Sequence, residues 1–570
     1  MAKAEASVEE LVAMIERGEL RLPEMQRQYV WRSTRVRDLL DSLYRGYPSG
    51  AILLWETDEN VALRDFAVRQ TANPYQSTRL LLDGQQRLTS LSAVIRGEPI
   101  RVAGRARPIE ILFNLEHPDG LTVTTEVNEY ETGDDHISED EADSTEDELQ
   151  NRINQMAFVV GTRKLQQLPQ WVSVSDVFKT DEDAPFLARA GVDKISDPKY
   201  KKYSQRLARL RGIRRYIYRM DILERSLSYQ EVTEIFVRVN SLGAKLRSSD
   251  LALAQITAKW GDSLRVFLDF QTACRNAGFD LDLGILLKNL VAFATGQSRF
   301  HTVNNLTLET LKSAWNDATR GLEFSLNFMR NNVGIDSPGL LSSPFILITI
   351  GLFGHKHAYS ISPTDEQALR RWTRLANAKG RYSRGSSETL LDQDLTVVSR
   401  DDGISALMDR LRLQVGRLDI VPEELEGRNQ RSALFKTMFL AFRRADARDW
   451  RSNLTIALDH SGRQHRLQFH HIFPKAVLKQ HYSDREADDI ANLAFIGGGT
   501  NRSISDKPPS AYIPELLQRS GPDALSAQAI PITPDLLQVS AYKDFLKERR
   551  KRVAEVLNGY LESANIVANS

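Results

Sequence analysis

Two histidines, His470 and His471, stand side by side in RLQFHHIFPKAVLKQHY, residues Arg466 to Tyr482. Asn492 lies about twenty residues beyond His471, and Asn501 follows nine residues later. These residue types suit phosphodiester hydrolysis, which needs a divalent ion to stabilise the developing charge and a base to activate water. A neutral imidazole suits the base at cytoplasmic pH. Histidine and asparagine together can hold one ion and leave positions open for phosphate and water. An HH dipeptide alone is more often a packing detail. Asn492, Asn501 and the following DKPPSAY set further polar groups in line with the pair. His465 and His481 flank the pair without a matching role, and His460 has none assigned.

A second constellation is LLLDGQQRLTSL, residues 80–91. Gly84 directly after a strand lets the chain turn tightly and offers consecutive N–H groups to an anion at a helix N-terminus. Arg87 in the first helical turn can pair with a phosphate through two donors. Asp83 can help to hold a Mg²⁺–nucleotide complex, and Gln85 and Gln86 can bond a base, a ribose or an attacking water. The plainer reading is a buried helix entry capped by Asp83. LPEMQRQYVWRSTRVRDLLDSLYRGYPSGAILLW adds Gln26, Arg27, Tyr29 and Trp31, and FVRVNSLGAKLRSSDLALA adds Arg238 and Asn240. No GxxxxGK[ST] sequence occurs, so a P-loop is not the route to nucleotide hydrolysis.

Several elements must position these groups. Val8, Leu11, Val12 and Ile15 predict an opening helix ending near Gly18, and Pro23 predicts an extended stretch after it. Ser33 is expected to cap a helix whose apolar face is Val36, Leu39, Leu40 and Leu43. GAILLWE, RLLLD and IEILFNL read as strands, and MAFVVG and WVSVSDVF as a further strand and a helix entry. KYSQRLARLRGIRRYIY, YQEVTEIFVRVNSL and SSDLALAQITAKW read as helices, and residues 255 to 460 as almost wholly helical. The fold class expected is α+β and mainly helical. A small α/β domain spans 1–260, a helical body 261–430 and an α+β module 431–570.

Composition bounds the rest. The 570 residues are too many for one core. Hydrophobic residues make up 41% and charged residues 26%, ordinary for a globular protein. The single cysteine, Cys274, excludes an intrachain disulfide framework and fits a reducing cytoplasm. No apolar run reaches the roughly 20 residues of a membrane span, and the N-terminus carries no signal-peptide pattern. A cytoplasmic protein is expected. The 75 basic and 75 acidic residues balance overall but not locally. Residues 108–151 hold no Lys or Arg, and Glu126 to Glu148 carries about a dozen carboxylates. That acidic stretch, part of a loop at about 121–150, reads as solvated, and the remainder of the chain is basic enough for a polyanion.

PxxQRxYVW, DGQQRLTSL and FxRxN together resemble the ParB-like N-terminal domain of GmrSD-type, modification-dependent restriction proteins. The C-terminal His–Asn–Asn pattern resembles the HNH, or ββα-metal, nuclease signature, the usual companion of that domain. The resemblance covers roughly residues 8–260 and 430–515. It implies a nucleotide or phosphate site at Gln26, Arg27, Asp83, Gly84, Gln85, Gln86 and Arg87, with Tyr29, Trp31, Arg238 and Asn240 of lesser weight. It implies His470 and Asn501 as metal ligands, His471 as general base and Asn492 as the residue that orients the base. The implied cofactors are Mg²⁺ or Mn²⁺, or another divalent ion such as Zn²⁺ or Ni²⁺, and a nucleoside triphosphate.

The implied function is a nucleotide-regulated, metal-dependent DNA endonuclease or nickase of bacterial anti-phage defence, with NTPase activity in its N-terminal domain. It would act on modified DNA or be gated by a DNA mark such as phosphorothioate or sugar-modified bases, with modified or phage DNA as its partner. The resemblance allows a homo-oligomer and gives no membrane partner. One alternative is an NTPase and DNA-binding scaffold whose C-terminal module does not cut. Another is a non-enzymatic DNA-binding regulator, which predicts no metal dependence.

Overall fold

A computed structural model describes residues 2–563 except 25, 27–28, 58–60, 62, 65, 71–78, 103–104, 120–152, 193, 243–247, 384, 459–466 and 480. The acidic stretch, Arg27, His460 and His465 therefore lie outside the described residues. The chain divides into two compact units, Met1–Leu264 and Arg265–Ser570.

The first unit opens on β1 (Ala2–Ser7), α1 (Val8–Glu16), β2 (Leu20–Pro23), α2 (Ser33–Arg45) and β3 (Ile52–Glu56). β4 (Leu63–Arg64), β5 (Arg79–Asp83) and α3 (Gln85–Arg96) follow. Next come the short strands β6 (Ile100–Val102), β7 (Arg105–Arg107), β8 (Ile111–Asn114), β9 (Phe158–Val160) and β10 (Trp171–Ser173). α4 (Pro198–Arg211), β11 (Ile217–Leu223), α5 (Tyr229–Leu242) and α6 (Ser248–Lys259) complete the unit.

Six strands form one mixed sheet in the order β1-β11-β3-β5-β2-β4. β3 runs parallel to β11 and antiparallel to β5, and their register slips between Leu53 and Leu54, where Leu53 pairs with Asp83. One face of the sheet packs Ile52, Leu54 and Leu81 on apolar residues of α1, α2 and α3. The other sets Leu53, Trp55, Leu80 and Leu82 on Val232 and Phe236 of α5 and Ala254 of α6. With both faces covered, the central strands read as continuous apolar runs.

Local chemistry explains the helix ends. Ser7 and Glu10 cap α1 reciprocally: the Ser7 hydroxyl accepts from Glu10 N at 3.2 Å and the Glu10 carboxylate from Ser7 N at 2.7 Å. The expected apolar face of α2 is buried, but Arg32, not Ser33, holds the cap position and gives no side-chain cap. Two sequence expectations fail here. β1 was not foreseen, because AKAEAS has little strand propensity and pairs only through its antiparallel register with β11. The helix expected to run through Tyr218 ends at Arg211, and Tyr218, Met220 and Ile222 alternate inward on a strand instead.

The second unit begins with helices, among them α7 (Leu283–Thr295), α8 (Leu308–Phe328), α9 (Phe345–Lys356), α10 (Pro363–Ala378), α11 (Ser387–Arg400), α12 (Gly403–Val415) and α13 (Ala433–Arg444). α8 and α9 approach closely where Gly321 faces Gly351; a Cβ on Gly351 would lie 2.8 Å from the Gly321 carbonyl oxygen. Then come β12 (Leu467–His471), β13 (Leu493–Gly497), α14 (Gly498–Ile504), α15 (Pro509–Ser520) and α16 (Tyr542–Glu562). β12 and β13 form an antiparallel ribbon in which His470 pairs with Ala494 and His471 with Leu493. Ile472, Phe473, Ile496, Ile504, Ile513, Tyr542 and Phe545 bind ribbon and helices into one core. Among the described residues no helix is long and apolar enough to cross a membrane.

Candidate active site

His470 and His471 end β12, so their side chains leave the ribbon on opposite faces. His470 Nδ1 lies 2.8 Å from Asn501 Oδ1 of α14. The Asn501 amide nitrogen donates to Gln468 Oε1 at 3.2 Å, two positions back along the strand and on the same face as His470. Two adjacent ligands on an ion with bonds of about 2.1 Å lie about 3 Å apart, so the spacing of this pair fits a shared divalent ion. Among the described residues no group of three His, Cys, Asp or Glu side chains forms a metal cage.

Burial sets the state of both rings. His470 is 3% exposed, and burial pushes its pKa down to about 4 against the support of Asn501. His471 and the buried Arg549 push in the same direction. Arg549 is itself driven down to about 9 by burial; it donates to the Ala491 carbonyl at 2.8 Å and the Gln528 carbonyl at 3.1 Å. Burial also lowers the His471 pKa, partly opposed by Asp488. Both imidazoles are therefore neutral at pH 7.

His471 Nε2 is 2.8 Å from Asp488 Oδ1, and Lys475 donates to the other carboxylate oxygen at 2.8 Å. Burial alone would raise the Asp488 carboxyl, but Lys475 and His471 hold it below its usual range. An ionised carboxylate at Nε2 fixes the tautomer with the proton there. Among the described residues nothing bonds His471 Nδ1, so that nitrogen keeps its lone pair for an incoming group.

Asn492 works at one remove. Its amide oxygen accepts from Phe473 N at 2.9 Å, and its nitrogen donates to the carbonyls of Phe473 and Ala487 at 3.0 and 2.9 Å. The side chain is fully buried. It braces the turn directly after His471 and makes no hydrogen bond to the imidazole; the ring's own hydrogen bond is to Asp488. Asp449 braces the other arm: its carboxylate accepts from Gly497 N at 2.6 Å and Thr500 Oγ1 at 2.7 Å. That seats the first turn of α14, which carries Asn501.

Sequence reading missed Asp488 and Asp449. Asp488 sits in ADDIAN, four residues before Asn492, where a carboxylate so near the motif was a usable signal. Asp449 meets Thr500 across 51 positions and left no local trace.

In the first unit, β5 runs through Gly84, at φ +98°, into α3. A Cβ on Gly84 would strike the Ile52 side chain, and one on Gly50 would lie 2.7 Å from the Arg87 guanidinium. Arg87 donates to the carbonyls of Ser49 and, at 2.7 Å, Ala51, and to Asp83 at 3.0 Å. It also lies over the Tyr218 ring at 5.7 Å. Gln86 Oε1 accepts from Val30 N at 2.9 Å and Trp31 N at 3.3 Å, and Gln26 donates to the Leu82 carbonyl at 2.5 Å.

Gln26, Asp83, Gly84, Gln86 and Arg87 are thus brought together, with Gln85 buried beside them. The hydroxyl of Tyr29 meets that of Ser90 at 2.8 Å, and Trp31 packs half-buried on the core. The Arg87 guanidinium, of which a phosphate contact is expected, binds the chain's own carbonyls and Asp83. At the N-terminus of α3, Gly84 supplies no side-chain cap. Arg238 and Asn240 lie on the backbone of α5, with side chains outside the described residues.

An uncharacterized protein of Methanocaldococcus jannaschii is 23% identical over 554 residues, covering 89% of this chain and 86% of its own. Residues 8–257, nearly the whole first unit, match the N-terminal domain of the GmrSD restriction endonucleases.

Proposed function

We propose that the protein is a restriction-type, metal-dependent DNA endonuclease or nickase, with an HNH-like cutting module at residues 467–504. The first unit would gate it by a nucleoside triphosphate, a modified DNA feature or both. The pairing of His470 with Asn501 at 2.8 Å, beside a His471 oriented by Asp488, carries this reading. The match of residues 8–257 to a restriction endonuclease domain supports DNA as the substrate.

His470 and Asn501 would hold the ion, which when bound supplies charge stabilisation for phosphodiester cleavage. His471 is neutral at pH 7 and accepts the proton of an attacking water at Nδ1. Asp488 stabilises the imidazolium that results, and Lys475 keeps that carboxylate ionised. Asn492 fixes the turn that holds the ring in place. In the first unit a nucleotide phosphate would lie at the turn formed by Asp83, Gly84, Gln85, Gln86 and Arg87, beside Gln26.

Nicking of supercoiled plasmid by the full chain with Mg²⁺ or Mn²⁺ tests this, beside a His471→Ala variant. Modified and unmodified plasmid should be compared with and without a nucleoside triphosphate. Conversion to open circle that the variant loses is expected. No cutting on any substrate, or cutting that survives the variant, overturns the reading.

A further inference from the structure

Tyr512 of α15 has one proton to place between two acceptors. Its hydroxyl lies 2.9 Å from the Ile472 carbonyl oxygen and 3.4 Å from His470 Nε2. A phenol carries a single hydrogen, and the shorter contact, to a carbonyl that can only accept, takes it. The phenol oxygen therefore faces His470 Nε2 with lone pairs. The ring cannot turn away: Tyr512 is 2% exposed and stacks on Trp450 at 6.4 Å, and Trp450 meets His470 edge-on at 5.7 Å.

On the other side of the imidazole, Nδ1 faces Asn501 Oδ1. Gln468 accepts from the amide nitrogen and so keeps the amide oxygen, an acceptor, turned toward His470. The 2.8 Å gap between Nδ1 and Oδ1 accommodates one positive species. A proton on Nδ1 can occupy it; with that proton gone, His470 and Asn501 would both offer lone pairs to a cation. When a cation enters, the ring gives up its Nδ1 proton to solvent. It takes one up at Nε2 and stays neutral. The new Nε2–H then points at the oxygen of Tyr512.

We propose that Tyr512 is a positioning residue that makes His470 a metal ligand through Nδ1, by accepting the hydrogen bond of the tautomer in which Nδ1 is bare. This rests on His470 and Asn501 being metal ligands, and goes beyond it by naming the ligating nitrogen and the residue that selects it. Partners that orient a ligating histidine typically contribute 10–100-fold in metal affinity. Tyr512→Phe keeps the buried ring and its stacking on Trp450 while removing the acceptor.

The test uses the full chain labelled with ¹⁵N-histidine, with the His470 signals assigned by their loss in His470→Gln. Zn²⁺, which is diamagnetic, is added to the wild type. The ¹⁵N shifts should show the His470 proton on Nδ1 before addition and on Nε2 after it. Binding of Mn²⁺, followed by electron paramagnetic resonance, should weaken about 10–100-fold in Tyr512→Phe. A His470 that keeps its proton on Nδ1 in the loaded protein overturns the proposal and leaves the metal reading standing. So does a Tyr512→Phe variant that folds and binds Mn²⁺ as tightly as the wild type. If that variant does not fold, the wild-type shifts decide. Wild type that takes up Mn²⁺ no better than His470→Gln overturns both readings.

Discussion

Asp488 shares its two oxygens between His471 and Lys475, and that division sets the basicity of the proposed base. The carboxylate raises the imidazole pKa while Lys475 and burial lower it, with burial the largest influence. In Asp488→Asn the raising contribution goes and the Lys475 charge is left without its partner, so the His471 pKa falls further. The acid limb of the cleavage rate against pH should then move to lower pH than in the wild type. The plateau should drop about 100-fold, because a weaker and less firmly oriented base takes up a proton less readily. A pH–rate profile of plasmid nicking checks this; an unmoved limb with a reduced plateau would show that Asp488 acts on something other than the base. At this scale the sequence was informative where chemistry is local. His470, His471 and Asn501 could be picked out from type and spacing, and two of them meet at 2.8 Å. Tyr512 was visible only as one letter of DKPPSAY, since its role depends on a chain reversal that brings it to the Ile472 carbonyl.

α14 is a short helix of seven residues that starts at Gly498, has no cap of its own and carries Asn501. Isolated helices of this length are unstable in water, so its position is imposed from outside. Asp449 does this with hydrogen bonds to Gly497 N and Thr500 Oγ1, and it bonds Ser452 N at 2.8 Å from the same carboxylate. Asp449→Ala should destabilise the second unit by about 3 kcal/mol, the scale for losing buried hydrogen bonds to a charged group. Mn²⁺ binding should weaken with it, because the Asn501 arm loses its seat. Thermal unfolding together with Mn²⁺ titration checks both; loss of stability with unchanged Mn²⁺ affinity would detach α14 from the proposed metal site. Elements with internal periodicity, such as α1, α2, β3 and β5, were legible in the sequence because their own apolar pattern specifies them. β1 and β11 were not, since they pair with each other across more than 200 positions and β11 pairs also with the distant β3. The DGQQR segment illustrates a third case. Its place at a strand–helix turn was legible, but Gln86 and Arg87 bind neighbouring backbone, which only the tertiary arrangement reveals.

Across the whole molecule, each unit encloses a histidine that folding keeps neutral. His117 in the first unit is 3% exposed, bonds the Tyr44 hydroxyl at 3.1 Å, and is held by burial, and then by Arg206 and Arg209, at about 4. His470 in the second unit is also held at about 4, again chiefly by burial. Both folded values lie below the 6.5 of a free imidazole. Between pH 6.5 and 4 the unfolded chain therefore binds protons that the folded chain refuses, and stability falls as pH falls through that window. By pH 4 the loss amounts to about 3 kcal/mol for each histidine. Carboxylates titrate in the lower part of the same range, so the histidine contribution must be read from a variant. His117→Asn forfeits packing against Tyr44 and should be less stable than wild type at pH 7. It has no proton to take up, so its disadvantage should shrink steadily toward pH 4. Denaturant unfolding of the metal-free chain at several pH values between 4 and 7 measures that difference directly. A gap that stays constant across the window would mean that His117 is not held neutral by the fold.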